Sequence, residues 1–226
     1  MRPLTYVVPK AVLPVGGKPL LERTILYLKS YGFHEFVICV AYLKRQVMEA
    51  FGDGRNLGVD IRYADAETPM GTAGQLKTAE PVIGDTFLAM NGDIVTSLNI
   101  ENLINTHQKK GGIGTIALKK FEVKIPYGYI TVDHDATIER FEEKPTLTFA
   151  ANAGVYVLEP RVFRFIPEGI PCSLETETFT ALIARGERIN SYFEDAYWAD
   201  VGSMVDFEKV NDELLSQRPI SHIYQD

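Results

Sequence analysis

Two aspartates stand where an α/β protein could carry phosphate and metal chemistry. Asp93 follows an apolar run at 86–90, in Met-Asn-Gly-Asp-Ile, and Asp200 lies in Tyr-Trp-Ala-Asp-Val-Gly-Ser just before the last predicted helix. Ligands of open α/β sheets collect at the carboxyl ends of strands, and a carboxylate there can hold Mg²⁺ against substrate phosphates. Asn-Gly-Asp is equally a good turn by itself, and a lone aspartate such as Asp200 is uninformative without its context.

A lysine near the N-terminus could supply the positive charge that such chemistry needs. Lys10 follows Pro9 and precedes the apolar segment Ala-Val-Leu-Pro-Val. An ammonium group suits phosphate binding as a mobile point charge. By itself, however, a lysine of this kind is usually a solvated surface residue, so the surrounding motif has to decide between the two interpretations.

A glycine-containing loop at 69–74, Pro-Met-Gly-Thr-Ala-Gly, leads into a predicted helix. Gly71 and Gly74 would allow a ligand to approach the backbone closely at a helix start, with Thr72 between them. The segment is too short for a dinucleotide fingerprint and lacks the Gly-Lys-Ser/Thr of a P-loop.

Alternating strands and helices must position these residues in the first half of the chain. The pattern implies right-handed βαβ units and a parallel sheet. We predict helices at 20–31, 43–51, 72–80 and 100–110, and strands at 36–41, 59–64 and 86–90.

The second half has the pattern of an antiparallel or mixed extension of that sheet. Four strand-like runs with short turns lie at 114–119, 127–132, 137–142 and 153–158. A helix at 174–185, strands at 189–194 and 196–199, and a final helix at 203–215 follow, with Ser203 as its predicted N-cap. Because no linker, repeat or low-complexity run interrupts the chain, we predict one domain over 1–226, without a C-terminal β-helix of hexapeptide repeats.

Composition excludes several classes of protein. The net charge of −7 over 226 residues disfavours nucleic acid as the main partner, and no apolar run approaches the ~20 residues that span a membrane. The N-terminus lacks a signal-peptide pattern, so we expect a cytoplasmic protein. Cys39 and Cys172 are then expected to be reduced, rather than a disulfide or a reactive thiol.

Taken together, the motifs resemble the signature of the sugar-1-phosphate nucleotidyltransferases, the enzymes that make nucleoside-diphosphate sugars. The resemblance begins at residues 2–21, RPLTYVVPKAVLPVGGKPLL, and continues through Asp93, the Glu143-Lys144-Pro145 motif and Asp200 to the end of the chain. It implies a Rossmann-like α/β fold of the nucleotide-diphospho-sugar transferase type. The sheet is expected to be mixed and mostly parallel, flanked by helices, and to lack its first strand.

The resemblance also assigns roles to individual residues. Lys10 is implied to contact the triphosphate and the sugar phosphate, and Asp93 and Asp200 to hold Mg²⁺. Lys18 belongs to the same frame but could be only structural, and Arg2 does not correspond to the family's catalytic arginine. Nucleotide binding is assigned to Lys10, Gly71, Thr72, Gly74 and Asn91, and sugar-phosphate binding to Gly128, Glu143, Lys144 and Asn152.

The implied reaction joins an NTP to a sugar 1-phosphate, giving an NDP-sugar and pyrophosphate. Gly-Thr-Ala-Gly at 71–74 looks most like the mannose-1-phosphate guanylyltransferase version of the loop, which favours GTP and mannose 1-phosphate. A glucose-1-phosphate uridylyl- or thymidylyltransferase is the alternative. No nucleic acid or membrane partner is expected, and a homo-oligomer is left open.

One part of the family pattern has no counterpart in the sequence. In the family, a buried strand and a glycine-rich phosphate loop ending Gly-Thr-Arg-Leu precede the signature, and Met1 stands where that last Leu would be. The chain is therefore expected to be less stable and poorly active as written, and the simplest hypothesis is a misplaced start codon. A non-catalytic paralogue that binds an NDP-sugar and regulates a partner is the rival interpretation.

Two further patterns could suggest different chemistry. Asp133-His134-Asp135 is similar to the Asp-X-Asp of metal-dependent glycosyltransferases, but its place between two strand patterns favours a hairpin turn. The histidines have no metal-binding spacing and lie outside the motifs: His34, His107, His134 and His222. A sugar phosphate is already mostly ionised at pH 7, so the proposed reaction needs no general base.

Overall fold

The computed structural model describes Met1 and residues 4–216. Arg2 and His222 lie outside the described residues. None of the helices in the described ranges is long and apolar enough to cross a membrane.

The predicted helices and strands are present, together with three short strands, at 14–15, 18–19 and 94–96, that the sequence did not predict. The helices are α1 (Leu20–Ser30), α2 (Lys44–Phe51), α3 (Gly71–Lys77), α4 (Ile100–Lys110), α5 (Phe179–Ala184) and α6 (Met204–Leu215). The strands are β1 (Pro14–Val15), β2 (Lys18–Pro19), β3 (Glu35–Val40), β4 (Asp60–Asp65), β5 (Phe87–Met90), β6 (Ile94–Thr96), β7 (Gly114–Lys124), β8 (Tyr129–Val132), β9 (Ile138–Glu142), β10 (Thr146–Leu158), β11 (Ile189–Phe193) and β12 (Trp198–Asp200).

The pairing of the strands is mixed. β3 and β4 pair in parallel, as do β7 and β11, whereas the other ladders among the described strands are antiparallel. The largest sheet has the order β11-β7-β10-β5. The expected preponderance of parallel pairs is therefore not seen in the described part of the chain, because β7 to β10 are joined by short connections that reverse the chain direction.

Packed apolar faces fix the helices on these strands. α1 buries Leu20, Leu21, Ile25 and Leu28, a spacing that puts them on one helical face. α6 starts with a capping box in which Ser203 accepts from the Asp206 amide and Asp206 accepts from the Ser203 amide, as the predicted N-cap requires. The buried side chains Val210 and Leu214 of α6 pack with Val15 of β1 and with Val201, which follows β12.

The predicted helix at 174–185 is divided into two parts. Leu174–Thr178 form a turn of π-helix, and α5 begins only at Phe179. Ser173 caps the turn by accepting a hydrogen bond from the Thr176 amide at 3.1 Å. The wider turn changes which side chains of this segment face the neighbouring loops.

A two-part extension, here called the ribbon, projects from the packed sheet. It consists of β8, β9 and the outer parts of β7 and β10, at 119–124 and 146–151, where β10 is longer than the sequence predicts. Leu147 pairs with Val123 and Phe149 with Phe121, and most of these side chains remain exposed. The segment around Trp198 contacts the inner end of the ribbon, where the Trp198 ring packs edge-on against Phe121 and Lys119 donates to the Ala196 carbonyl at 2.7 Å.

The Asp-X-Asp pattern forms the predicted hairpin turn between β8 and β9. The Asp133 Oδ1 atom accepts hydrogen bonds from the backbone amides of Asp135 and Thr137 at 2.9 and 2.8 Å. This carboxylate therefore stabilises the turn, as short acidic side chains commonly do.

The two cysteines and the buried His107 are packed against other residues of the fold. Cys39 and Cys172 are free, and burial raises the pKa of the Cys39 thiol to about 11, which keeps it protonated. The His107 ring lies 2.9 Å from the Thr115 hydroxyl and 3.0 Å from the Glu159 carboxylate. These contacts give both ring nitrogens of the buried imidazole a hydrogen-bond partner within the core.

Candidate active site

Lys10 and Asp93, which are 83 positions apart, form an ion pair. Lys10 begins a 3₁₀ turn after Pro9, and Asp93 lies in the turn between β5 and β6. The Lys10 Nζ and Asp93 Oδ2 atoms are 2.9 Å apart, and the side chains are 29% and 32% exposed. Both side chains are thus exposed enough for either one to leave the other and bind a ligand instead.

Asp200 lies beside this pair because β12 pairs with β6. Asp200 is opposite Ile94 in the ladder, and the Val201 amide donates to the Asp93 carbonyl at 2.9 Å. Burial and then the negative charge of Asp93 raise the pKa of Asp200, while Lys10 acts in the opposite direction. We call Lys10, Asp93 and Asp200 the strand-end cluster.

The donor set of the strand-end cluster fits Mg²⁺. Two carboxylates whose charges repel each other supply hard oxygen ligands, and Mg²⁺ is commonly held by one or two carboxylates together with substrate phosphates and water. No group of three or more His, Cys, Asp or Glu side chains that could hold a metal occurs among the described residues. The cluster would therefore need further oxygens from a ligand to complete a coordination shell.

Asn91 and Asn152 both contact Gly154 beside the end of β5. The Asn91 amide donates to the Gly154 carbonyl at 2.9 Å, and the Gly154 amide donates to the Asn152 Oδ1 atom at 2.9 Å. Gly154 has φ +69°, and a β-carbon there would lie 2.8 Å from the Asn91 Nδ2 atom. A glycine is therefore required where β10 bulges past Asn91.

The glycines of the 69–74 loop accommodate the chain's own backbone. Gly71 has φ +70°, and a β-carbon there would lie 2.5 Å from the Cys172 carbonyl oxygen. The same oxygen accepts hydrogen bonds from the Ala73 and Gly74 amides. Gly74 is buried, whereas Gly71 and Thr72 are exposed. The close approach that the sequence pattern suggested for a ligand is made here by Cys172.

A hydrogen-bonded chain that the sequence reasoning missed joins this loop to Asn152. The Thr72 hydroxyl donates to the Glu175 Oε2 atom at 2.7 Å, and the Tyr156 hydroxyl donates to the Glu175 Oε1 atom at 3.2 Å. The Asn152 amide in turn donates to the Tyr156 hydroxyl oxygen at 2.7 Å. Burial is the main cause that raises the pKa of Tyr156, so this phenol remains a donor.

Three of the expected sugar-binding residues, Gly128, Glu143 and Lys144, lie where the β8–β9 hairpin joins the outer ends of β7 and β10. A β-carbon on Gly128 would lie 3.0 Å from the Glu143 Oε2 atom and from the Phe141 ring, so these three residues are in contact. Lys144 has φ +45°, a left-handed conformation that is uncommon for a residue with a β-carbon. Strain of this kind is concentrated at functional sites.

The structure does not join the ribbon residues to the strand-end cluster. Among the hydrogen bonds and ion pairs between described residues, none connects Glu143 or Lys144 with Lys10, Asp93 or Asp200. The remaining lysine of the N-terminal motif, Lys18, lies in β2 opposite Val15. The predicted site thus has a joined phosphate side and a separate, exposed sugar side.

With this geometry in view, the chain can be placed in a class of proteins. The model of the nucleotidyl transferase family matches residues 1–217, so the chain belongs to that family.

Individual relatives have named activities. A mannose-1-phosphate guanylyltransferase from Mycobacterium tuberculosis is 33% identical over 95% of this chain and 61% of its own length. A UTP–glucose-1-phosphate uridylyltransferase from Synechocystis is 30% identical over 96% and 61%. The Saccharomyces cerevisiae mannose-1-phosphate guanyltransferase is 34% identical over 92% and 59%. The chain thus spans about three-fifths of the length of these curated relatives.

Solved structures share the fold. HddC from Yersinia pseudotuberculosis, complexed with GMP-PN, superposes with a TM-score of 0.72 at 21% identity, covering 92% of this chain and 90% of that one. A UDP-glucose pyrophosphorylase complexed with UDP-glucose gives a TM-score of 0.71 at 20% identity, covering 96% and 94%. The predicted Rossmann-like α/β fold of the NDP-sugar transferase type is therefore confirmed.

Proposed function

We propose that this chain transfers a nucleotidyl group from an NTP to a sugar 1-phosphate, releasing pyrophosphate. The observation that carries the proposal is the meeting of Lys10, Asp93 and Asp200 at the ends of β5 and β12 in a member of the nucleotidyl transferase family. A cation beside two carboxylates is the charge arrangement that a metal-bound polyphosphate requires.

The reaction is a substitution at the α-phosphorus of the nucleotide. A phosphate oxygen of the sugar 1-phosphate forms the new bond to that phosphorus, and the bond to the bridging oxygen breaks as pyrophosphate leaves. The nucleophile is already mostly ionised at neutral pH. The protein's contribution is therefore alignment and neutralisation of charge.

Asp93 and Asp200 would hold Mg²⁺ together with phosphate oxygens. When bound, the ion would neutralise negative charge on the phosphates. Lys10 now compensates Asp93 and would turn to a phosphate when the ion takes over that carboxylate. The raised pKa of Asp200 fits this role, because a bound cation relieves the repulsion between the two carboxylates.

The remaining predicted residues would bind the nucleotide and the sugar 1-phosphate. Thr72 and Gly71 present the exposed part of the loop at 69–74, and Asn91 lies at the end of β5. Glu143 would accept hydrogen bonds from sugar hydroxyls and Lys144 would bind the sugar phosphate. GTP and mannose 1-phosphate are the proposed pair, supported by Gly-Thr-Ala-Gly at 71–74 and by the named activities of the relatives.

The direct test is pyrophosphate release with a panel of ATP, GTP, CTP, UTP and dTTP against mannose, glucose and galactose 1-phosphates. We expect release that needs Mg²⁺, is abolished by EDTA, and is fastest with GTP and mannose 1-phosphate. Turnover with UTP or dTTP and glucose 1-phosphate instead would reassign the substrates but keep the reaction. Binding of GDP-mannose without turnover in any combination would overturn the proposal in favour of a regulatory paralogue.

A further inference from the structure

We propose that Glu175 is a positioning residue that couples the loop at 69–74, here called the nucleotide loop, to the turn at 152–154, here called the sugar turn, so that the two substrates bind cooperatively. The identity of the two substrates rests on the proposed function. The coupling rests on the contacts that Glu175 makes in the structure.

Each carboxylate oxygen of Glu175 contacts a different side of the site. Oε2 accepts from the Thr72 hydroxyl at 2.7 Å and from the Ser173 hydroxyl at 3.0 Å. Oε1 accepts from the Tyr156 hydroxyl at 3.2 Å. One carboxylate is thus shared between α3 and β10, which are far apart in the sequence.

Each of these contacts continues to a residue expected to bind substrate. Beyond Tyr156, the chain of hydrogen bonds reaches Asn152, whose Oδ1 atom also fixes the Gly154 amide in the bulge of β10. At the other end, Thr72 is itself in the nucleotide loop and accepts from the Leu174 amide at 2.8 Å. Hydrogen bonds to an ionised carboxylate are stronger than those between neutral groups, and adjacent bonds polarise one another.

The π-helical turn places Glu175 between its two partners. Leu174 and Thr178 of that turn are buried, while Glu175 is half-buried and directed at polar groups. π-Helical turns are rare and occur frequently at functional sites. The turn runs directly into α5 at Phe179, so the helix supports the segment that carries this carboxylate.

Binding of either substrate has to fix the same carboxylate, and fixing it costs conformational entropy. When one substrate fixes Thr72 or Asn152, Glu175 is fixed as well, and the second substrate finds its own residues already ordered. Such coupling is reciprocal, so each ligand must raise the affinity for the other by the same factor.

The first experiment measures the link without any ligand. Thr72→Val and Tyr156→Phe each remove one hydroxyl. The change in melting temperature is measured for each variant and for the double variant. The same three measurements are then repeated in a chain that also carries Glu175→Ala. We expect the two effects to deviate from additivity by about 2–4 °C with Glu175 present, and to be additive without it. Additivity in both backgrounds overturns the inference.

The second experiment measures the coupling by calorimetry. The affinity for mannose 1-phosphate is determined with and without α,β-methylene GTP, a nucleotide that cannot release pyrophosphate at the reacting bond. We expect the nucleotide to tighten sugar-phosphate binding about 5–20-fold in the natural sequence. Glu175→Ala should reduce this factor to about 1, and Glu175→Gln, which keeps one acceptor oxygen, should retain part of it.

The matched control is Glu177→Gln, in the same turn. It removes the same charge, but Glu177 accepts only from the Ser173 amide among its described hydrogen bonds, at 2.7 Å, so the coupling factor should persist. A Glu175→Ala variant that keeps the full factor refutes the inference while leaving the proposed function intact. A natural chain that binds neither ligand and turns over no substrate pair refutes the proposed function instead.

Discussion

The strand-end cluster and the ribbon are built in opposite ways. Asp93 and Asp200 lie on adjoining segments whose neighbours Ile94, Val95 and Val201 are buried, so the backbone under the carboxylates is fixed. Glu143 and Lys144 are exposed and lie in the connection between β9 and β10. Under the proposed function, chemistry common to every substrate pair would be carried by residues on a buried frame, and recognition of the sugar by residues on an exposed loop.

The sharpest way to test the first region is Asp93→Asn. We expect turnover to fall by about 10³-fold, because the variant removes a charge that acts on the reacting phosphates, while the fold remains intact. Pyrophosphate release and circular dichroism measure the two effects. Asp60→Asn, at an exposed position that begins β4, is the control and should retain activity. Activity like that of the natural chain in Asp93→Asn would contradict the metal assignment.

The second region is tested by Lys144→Ala. A lost charged contact to the sugar phosphate should raise the KM for sugar 1-phosphate by about 10–100-fold, with little change in the affinity for NTP. Steady-state kinetics with each substrate varied in turn measures this difference. Lys124→Ala, an exposed lysine elsewhere on the ribbon, should leave both constants unchanged. An equal loss of affinity for both substrates would remove the distinction between the two regions.

A smaller change on the ribbon is Gly128→Ala. The new methyl group would lie 3.0 Å from the Glu143 carboxylate and the Phe141 ring, so Glu143 has to move. We expect a rise of about 3–10-fold in the KM for sugar 1-phosphate, because misplaced contacts weaken binding. Gly84→Ala, where a β-carbon meets nothing within 4 Å, is the matched control. An unchanged KM would place the sugar elsewhere.

The smallest effect is expected in the stability of Asp200→Asn. Since the folded-state pKa of Asp200 lies above its ordinary value, its ionised form destabilises the folded chain at neutral pH. This destabilisation disappears as the pH falls through the raised pKa. The neutral variant should therefore melt about 1–2 °C higher at pH 7, with the difference shrinking in acid. A lower melting temperature at pH 7 would show that the carboxylate is structurally needed.

The sequence predicts the elements well where local signals are strong. α4 has the predicted bounds of 100–110, because an amphipathic pattern is closed by two glycines, and Ser203 caps α6 as expected. The π turn before α5 and the outer part of β10 were missed. Both depend on contacts with distant segments, such as Phe149 stacked on Phe121, which no local pattern contains.

The site is predictable only in part for a similar reason. Lys10, Asp93 and Asp200 are recognised by their motifs, and the structure brings them together. Glu175 could not be distinguished from an acidic residue that simply favours the start of a helix. Its importance depends on Thr72 and Tyr156, which are 103 and 19 positions away along the chain.

The left-handed conformation of Lys144 has a consequence for how this lineage can change. A residue with a β-carbon costs about 1 kcal/mol or more at such a backbone angle, and glycine would remove that cost. Under the proposed function, the charge of Lys144 on the sugar phosphate would offset this backbone cost. A descendant that lost the reaction would lose that compensation, and glycine or asparagine would then be expected at position 144.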